Sequence, residues 1–275
     1  MRTSLPYLVI HLVVILLSSP LYSSSQATDS SVAVVRYSLR HITDSTAPGD
    51  PRTDEMVLFL GKKSSFFTLN ANIQREIAMK ELVKKNPGMM NGFALTLNYG
   101  VPFAFYKDVE KGKIVNIAMF NGQYYMYQEE VFVPDWKTDT ATRIINGYKC
   151  QRATAPVRGR QYEAWFCSDL PFSFGPWKLG GLPGLILEAS DTKKEVVFSF
   201  ISFTSESTDT FGLPLTAIQT SRTELQKAAN AALLNAAGKI SLNNNSDLKI
   251  KAVSEDGKPF QAIRMFNNPI EKTIL

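Results

Sequence analysis

The stretch Trp165–Asp191 reads WFCSDLPFSFGPWKLGGLPGLILEASD, and it places four glycines and three prolines between two runs that are typical of β-strands. Within it, Leu182-Pro183-Gly184-Leu185 has the sequence of a type II turn, in which proline presets φ at the first central position and glycine supplies a positive φ at the second. The turn predicts a rigid connection into a buried strand, Leu185–Ala189. On this interpretation a valine at position 184 destabilises the fold, because valine resists positive φ.

The glycines of this stretch do not have the spacing of a phosphate-binding loop. Gly180, Gly181 and Gly184 lack the G-x-x-x-x-G-K-[ST] pattern, and an apolar strand follows them where a phosphate loop would continue into a capped helix. We therefore interpret the stretch as a structural connector.

The residues just before it predict a β-hairpin that brings the two cysteines together. If Arg158-Gly159 is a two-residue loop, Val157 faces Arg160, and Cys150 faces Cys167 at a non-hydrogen-bonded position. A Cys150–Cys167 disulfide is geometrically possible there. Two buried thiols, or strands slipped by one residue, are the alternatives, since Arg-Gly is a weaker hairpin signal than Asn-Gly.

Elsewhere the sequence alternates short strand patterns with turns, and two segments have helical periodicity. Helices are predicted from about Asn72 to Lys85 and from Ser221, where a capping box begins, to just before Gly238. The strand Glu195–Phe203 is apolar on both faces, so we expect it at the centre of a sheet. Further strands are predicted at Val32–Ile42, Glu55–Leu60, Ser65–Leu69, Phe93–Tyr99, Phe103–Lys107, Ile114–Phe120, Gln123–Phe132 and around Trp136–Ile145, with a loop at Thr208–Leu215 and one or two short strands after Ile240.

These patterns predict a mainly β (α+β) fold in one domain, residues 28–275. Short strands with frequent turns and no βαβ alternation argue against a parallel sheet. We expect a single curved antiparallel sheet, or an open half-barrel, covered by two helices.

Residues 1–27 have the pattern of a secretory signal peptide. A charge at Arg2 precedes an apolar run from Leu8 to Leu17, and Ser25 and Ala27 suit positions −3 and −1 of a cleavage site. The run is shorter than the roughly 20 residues of a spanning helix, although an N-terminal membrane anchor is the alternative. The sequence thus predicts an exported protein of the periplasm or cell envelope, or a secreted one, whose mature chain does not span a membrane.

Composition and charge exclude few classes of protein. A chain of 275 residues with 44% hydrophobic residues can bury an ordinary core. The net charge of +5 comes from scattered basic residues, whereas nucleic-acid binding needs clustered positive charge. Nucleic acid is therefore not an expected partner.

The chain offers little for metal or triad chemistry. His41 is the one histidine outside the predicted signal peptide, and neither H-E-x-x-H nor C-x-x-C nor G-x-S-x-G occurs. No catalytic residue, metal or cofactor is predicted, and we expect His41 to be a solvated residue at the end of a strand.

Charged residues in and around the glycine-rich stretch leave two possibilities open. Lys178 is the one cation in an otherwise apolar loop; it could contact an anionic ligand, but a pair with Asp169 or Asp191 is favoured. Four carboxylates, Glu163, Asp169, Glu188 and Asp191, could form an acid and base pair for a hydrolase without histidine, provided that two of them lie within about 5 to 10 Å in a cleft. Charged caps on strand ends are the alternative.

The hexapeptide Gly181-Leu182-Pro183-Gly184-Leu185-Ile186 resembles the signature of the GLPGLI family, exported proteins of Gram-negative bacteria. The resemblance is most specific over Tyr124–Asp191. It implies an exported, mostly β protein of unknown biochemical role and supplies no catalytic or ligand residues. Matching residues around the hexapeptide are Gly147-Tyr148-Lys149-Cys150, Gly159-Arg160, Ala164-Trp165, Leu170-Pro171, Gly175-Pro176, Lys178, Glu188 and Asp191.

The first functional hypothesis is a non-enzymatic envelope protein that binds an apolar ligand or a protein partner. Phe172, Phe174 and Trp177 are the possible ligand contacts, unless these rings simply fill the core. The alternatives are the carboxylate hydrolase and an assembly factor with an outer-membrane partner, which would expose an apolar patch or an unpaired edge strand.

Overall fold

A computed structural model describes residues 28–85, 104–120, 123–214, 216–228 and 267–272. The predicted signal peptide, the strand predicted at Phe93–Tyr99 and the short strands predicted between Ile240 and residue 266 lie outside the described residues. Within those ranges there are two helices, α1 (Asn70–Lys85) and α2, whose described part is 222–228. The strands are β1 (Thr28–Ser30), β2 (Ala33–His41), β3 (Arg52–Leu60), β4 (Ser64–Leu69), β5 (Ala104–Asp108), β6 (Lys113–Phe120), β7 (Gln123–Glu130), β8 (Lys137–Ile145), β9 (Tyr148–Val157), β10 (Arg160–Cys167), β11 (Leu185–Asp191), β12 (Val196–Ser205), β13 (Thr210–Gly212) and β14 (Ile218–Gln219).

Twelve of these strands form one open sheet in the order β14-β7-β6-β5-β4-β3-β2-β12-β11-β10-β9-β8. The mainly β fold is confirmed, but the prediction of a single antiparallel sheet is wrong in two respects. The edge strand β14 runs parallel to β7, and β1 pairs with β13 in a separate two-stranded sheet. Because β13 lies within Thr208–Leu215, that segment is not wholly a loop. Strands of two or three residues carry too little periodicity to be recognised in a sequence.

The strand patterns that were strong in sequence are confirmed. The β9–β10 hairpin turns at Arg158-Gly159 with φ of 49° and 80°, as a type I′ turn requires, and its register pairs Arg160 with Val157. Strand β12 lies between β2 and β11 in the interior of the sheet, as its two apolar faces predict. Helix α2 begins with the predicted cap, in which the N–H of Glu224 donates to Ser221 Oγ at 3.1 Å.

The connection between β7 and β8 requires the sheet to curve strongly. These strands are ten positions apart in the sheet order, which would separate them by about 48 Å in a flat sheet. Residues 131–136, which join them and which we call the linker, can span at most about 25 Å. The two ends of the sheet must therefore approach each other, and the sheet has a concave face between them.

Each face of the sheet has its own core. The larger core lies on the concave face and joins strands from both halves of the sheet, with Tyr37 on β2, Phe67 on β4 and Tyr162 on β10 among its buried rings. The opposite face carries a smaller core around Phe59, against which Ile73 of α1 packs. The two covering helices therefore lie on opposite faces, because Leu225 of α2 packs against Ala118 and Tyr127, which share the concave face with Ile114 of the larger core.

Gly184 is required for a different reason from the one predicted. The residues with positive φ include Gly180 and Gly181 (φ 86° at Gly181) but not Gly184, so the predicted type II turn with positive φ at Gly184 is wrong. Instead, a Cβ at Gly184 would lie 2.6 Å from the carbonyl carbon of Cys167 and 2.8 Å from Cα of Ser168. The chain returns so closely to the end of β10 that only glycine fits.

Replacing Gly184 with alanine is expected to lower the free energy of unfolding by about 2 kcal/mol or more, since backbone atoms must move to admit the methyl group. The matched control is Gly49→Ala, where an added Cβ meets nothing within 4 Å and φ is not positive. This change should alter the free energy by about 1 kcal/mol or less. Urea unfolding of the mature chain measures both, and equal stability of the two variants would contradict the close-approach interpretation.

Candidate functional site

The loop between β10 and β11, residues 168–184, packs onto the concave face of the sheet, and we call it the cover loop. Trp177 stacks on Tyr162 with ring centroids 6.4 Å apart, and Leu179 and Leu182 are buried in the same core. The backbone N–H of Ile186 donates to the carbonyl of Phe174 at 3.0 Å. These contacts fix the cover loop both to the core and to β11.

The glycines of the cover loop allow close packing at two further points. A Cβ at Gly175 would lie 2.8 Å from Cβ of Ile186, and one at Gly181 would lie 2.5 Å from Cγ1 of Val133 in the linker. Pro176 contributes a turn, because its carbonyl accepts the N–H of Leu179 at 3.1 Å. The hexapeptide thus works as a structural unit in which Leu182, Leu185 and Ile186 are buried.

A cleft of about 310 Å³ opens where the cover loop meets the linker and the turn between β5 and β6. Its walls are mostly apolar and include Phe132 of the linker. Val109 and Val133, which are 46% and 60% exposed, also line it. The indole N–H of Trp136 donates to the carbonyl of Gly180 at 2.8 Å, which ties the linker to the cover loop beside the cleft.

The structure separates the three rings that were predicted as ligand contacts. Phe172 and Phe174 line the cleft, and Phe172 is half-buried. Trp177 is 4% exposed in the core and does not line the cleft. Phe174 is also 4% exposed and belongs to the same core. The alternative given for these rings, that they fill the core, therefore applies to Trp177 and Phe174.

Lys107 of β5 lies at the inner end of the cleft, and sequence reasoning missed it. Its side chain is on the concave face and is 5% exposed, and Nζ donates to the carbonyls of Lys178 at 2.9 Å and Leu179 at 2.8 Å. No carboxylate among the described residues pairs with it. Burial, with a smaller contribution from the charge of Lys178, lowers the pKa of Lys107 to about 7. One signal was available in the sequence, because Lys107 shares the strand phase of the buried Phe105.

Lys178 pairs with neither Asp169 nor Asp191, so that prediction is wrong. It is buried and forms ion pairs with Glu129 of β7 and with Glu271, whose Oε1 lies 2.5 Å from Nζ. Arg222 of α2 binds the other oxygen of Glu271 at 2.7 Å. Burial opposes ionisation of Glu271, but the charges of Lys178 and Arg222 outweigh it and lower its pKa. Lys178 is therefore paired, as favoured, but with other carboxylates than the two predicted, and its charge is neutralised.

Arg160 of β10 anchors residues 267–272, which we call the C-terminal segment. Its guanidinium lies 2.7 Å from Asp191 and 2.6 Å from Glu195, and it also donates to Oδ1 of Asn268 and to two backbone carbonyls of the segment. The hydrogen bond from Arg160 lowers the pKa of Glu195 to about 2. All five donors of Arg160 thus face acceptors in a nearly water-free environment.

His41 is not the solvated residue that was predicted. It stands at the end of β2 as expected, but it is 9% exposed because the C-terminal segment covers it, and Nε2 lies 2.8 Å from the carbonyl oxygen of Asn268. Burial lowers its pKa. His41 shares the strand phase of the buried Tyr37 and Leu39, which was an available sign of burial. The residue that covers it, Asn268, is far away in sequence and gave none.

Of the four carboxylates considered for a hydrolase, the structure brings only Glu163 and Glu188 to one cleft. Asp191 is buried on the concave face beside Arg160, and Glu163 lies on the opposite face. Asp169 is exposed in the turn after β10. Glu163 and Glu188 do line a shallow cleft of about 80 Å³ on the outer face, but each is paired with an arginine. None of these carboxylates has the free, facing partner that acid and base catalysis requires.

The register of the hairpin, which pairs Phe166 with Gln151, places Cys150 opposite Cys167 at the next position, as predicted. Both are buried free thiols in this structure, and Cys150 donates to the carbonyl of Tyr148. Burial raises the pKa of the Cys150 thiol to about 12. The disulfide between them stays a prediction.

In the described part of the chain, no three histidine, cysteine, aspartate or glutamate side chains are grouped as ligands for a metal ion. Nor is any helix in those residues long and apolar enough to cross a membrane.

A family model described as "Protein of unknown function (Porph_ging)" matches residues 157–188, which comprise the end of β9, β10, the cover loop and the first half of β11. Among curated proteins, none matches the sequence significantly. The family match therefore falls on the segment that builds one wall of the cleft.

The chain aligns in part with several solved structures. Two structures of PNGF-II align with TM-scores of 0.49 and 0.45 at 15% and 14% identity, over 74% and 72% of this chain. This chain spans about a third of the PNGF-II chains, 33% and 32%. A crystal structure of an uncharacterized conserved protein from Thermus thermophilus aligns with a TM-score of 0.34 at 6% identity, over 69% of this chain and 91% of that one.

The buried lysine predicts a specific dependence of stability on pH. Because the pKa of Lys107 is lower in the folded than in the unfolded chain, the folded state binds fewer protons and the free energy of unfolding rises with pH above about 7. We expect this residue to contribute a rise of about 2 kcal/mol between pH 6 and pH 8.5. Lys107→Met should remove that part of the rise and leave the contribution of His41, which has the same sign. Superimposable pH profiles of the two proteins would show that the pKa of Lys107 is not lowered in the folded chain.

Arg160→Lys is expected to lower the free energy of unfolding by about 3 kcal/mol, because an ammonium group cannot replace the five-donor fork and leaves buried acceptors unpaired. The control is Arg152→Lys, which alters an exposed ion pair with Asp139 and should cost less than about 1 kcal/mol. Thermal unfolding of both variants tests this. A loss for Arg160→Lys no greater than for Arg152→Lys would mean that the C-terminal segment is not held by this residue.

Proposed function

We propose that the protein is an exported, non-enzymatic binding protein of the cell envelope or periplasm, and that the cleft beside the cover loop holds an apolar ligand. The observation that carries the proposal is the cleft of about 310 Å³ with Phe132, Val133 and Phe172 in its walls. Apolar clefts with a few polar groups are the usual form of small-ligand sites, and this volume is at the lower end of their range. A slender ligand suits it better than a broad one.

The distribution of exposed apolar side chains favours this site over a protein-binding surface. The described residues with large exposed apolar side chains are spread over several elements, such as Ile77 on α1, Ile144 on β8 and Ile218 on β14. Val109 and Val133 instead share the cleft. An assembly role would use the edge strand β8. Among the described residues of β8, Ile144 is the one large exposed apolar side chain, so this edge carries no apolar patch for a protein partner.

Export and family resemblance complete the proposal. Residues 1–27 have the signal-peptide pattern, and the hexapeptide at Gly181–Ile186 resembles the GLPGLI family, which is compatible with the match of a family of unknown function at residues 157–188. The carboxylate hydrolase is not favoured, since Asp191 is paired with Arg160 on the other face of the sheet from Glu163. Glu163 and Glu188 share a shallow cleft, but each is paired with an arginine.

The test of ligand binding is a titration of the mature chain with N-phenyl-1-naphthylamine, a neutral fluorophore that brightens in apolar sites. Val133→Asp should weaken its binding by about tenfold or more, because the ligand would have to desolvate a carboxylate in the cleft wall. The side chain of Val133 is exposed, so folding should be kept.

The matched control is Ile144→Asp, which makes the same kind of change at a 66% exposed side chain on β8 outside the cleft. It should bind the fluorophore like the wild type. If the wild type does not bind, or if both variants bind equally well, the cleft is not the ligand site.

A further inference from the structure

We propose that the ligand is an amphiphile with a carboxylate head group, and that Lys107 binds this head group at the inner end of the cleft. The inference rests on the proposed ligand-binding function and goes beyond it by naming the chemical class of the ligand and the residue that selects it.

The charge of the cleft is one-sided. Its charged lining residues are Lys62 at the exposed mouth and the buried Lys107, and no acidic side chain of the described residues lines it. The charged groups in these walls therefore attract an anionic ligand and repel a cationic one.

The acidic groups near Lys107 are already neutralised by other cations. Glu129 binds Lys178, and Asp108, the neighbour of Lys107 in β5, pairs with Lys111 at 3.2 Å. Glu271 is shared by Lys178 and Arg222. When it is protonated, Lys107 is thus a buried cation without a counter-ion in the described part of the chain, an arrangement that costs free energy unless a partner supplies the negative charge.

The geometry leaves Lys107 free to make one more hydrogen bond. An ammonium group has three N–H donors, and two of them are used by the carbonyls of Lys178 and Leu179. Nζ also lies next to the cleft wall, since a Cβ added at Gly180, which lines the cleft, would be 3.3 Å from it. The third donor can therefore serve a group that enters the cleft.

One remaining donor suits a single carboxylate oxygen better than a phosphate. A phosphate group presents three acceptor oxygens and is normally held by several donors. In the cover loop, the N–H of Gly181 is already bonded to the carbonyl of Ser173 at 3.1 Å. With the head group on Lys107, the chain of the ligand would pass Phe132, Phe172 and Val133 toward the mouth.

The experiment compares decanoic acid, decan-1-ol and decylamine, which share one chain length and differ in head group, by displacement of N-phenyl-1-naphthylamine from the mature chain at about pH 6, where Lys107 is mostly protonated. The wild type should bind the acid about tenfold or more tightly than the alcohol, because the carboxylate forms an ion pair with the ammonium group, whereas the alcohol offers only a neutral acceptor. The amine should bind most weakly. This ranking needs no variant, so it remains decisive even if a change at Lys107 disturbs folding.

Two lysine variants then locate the head group. Lys107→Met should reduce the preference for the acid over the alcohol to about twofold or less, because it weakens acid binding much more than alcohol binding, whereas Lys62→Met should keep the preference. Circular dichroism confirms that each variant is folded.

The outcomes separate this inference from the proposed function. If the alcohol binds and Val133→Asp weakens it, but the acid binds no more tightly than the alcohol, the cleft is a ligand site and the carboxylate inference is wrong. Loss of the preference in Lys62→Met but not in Lys107→Met also overturns the assignment to Lys107. If none of the three compounds binds, the proposed function itself fails.

Discussion

The close return of the chain at Gly184 to the end of β10 is the constraint on which the candidate site depends. With only hydrogen at Cα, Gly184 passes beside the Cys167 carbonyl, so β11 can start next to the strand that precedes the cover loop. The whole cover loop is then confined over the concave face of the sheet. Its apolar side chains enter the core at Trp177, Leu179 and Leu182. One wall of the cleft is a consequence of that confinement.

The other wall of the cleft, which the linker forms, is a consequence of the curvature of the sheet. The linker 131–136 is too short to join β7 to β8 across a flat sheet, so it holds the two ends of the sheet near each other and crosses beside the cover loop. Buried charged groups stabilise these contacts. Lys178 of the cover loop binds Glu129 of β7, and Arg160 binds Asn268 of the C-terminal segment. Lys107 differs from both, because among the described residues it donates only to backbone carbonyls and keeps an unbalanced charge at the cleft. That contrast makes it the candidate ligand-binding residue.

Sequence reasoning succeeded where local pattern decides the structure and failed where distant residues do. The Arg158-Gly159 hairpin, its register and helix α1 follow from turn chemistry and periodicity, and each is confirmed. Gly184 was recognised as essential, but the reason given, a positive φ angle, was wrong. Its close approach to Cys167 leaves no sign in the local sequence. The pairing of Lys178 with Glu271 and the burial of His41 under Asn268 join residues that are 93 and 227 positions apart. Contacts at such separations arise only from the tertiary fold.

The central claim is that the cleft between cover loop and linker holds an amphiphile with its carboxylate on Lys107. A crystal structure of the mature chain grown with decanoic acid tests it most directly. The claim predicts an extended chain beside Phe132 and Phe172 with a carboxylate oxygen about 2.8 Å from Nζ of Lys107. An empty cleft with the side chains unchanged, or a ligand bound in it with the carboxylate pointing out to solvent, would contradict it.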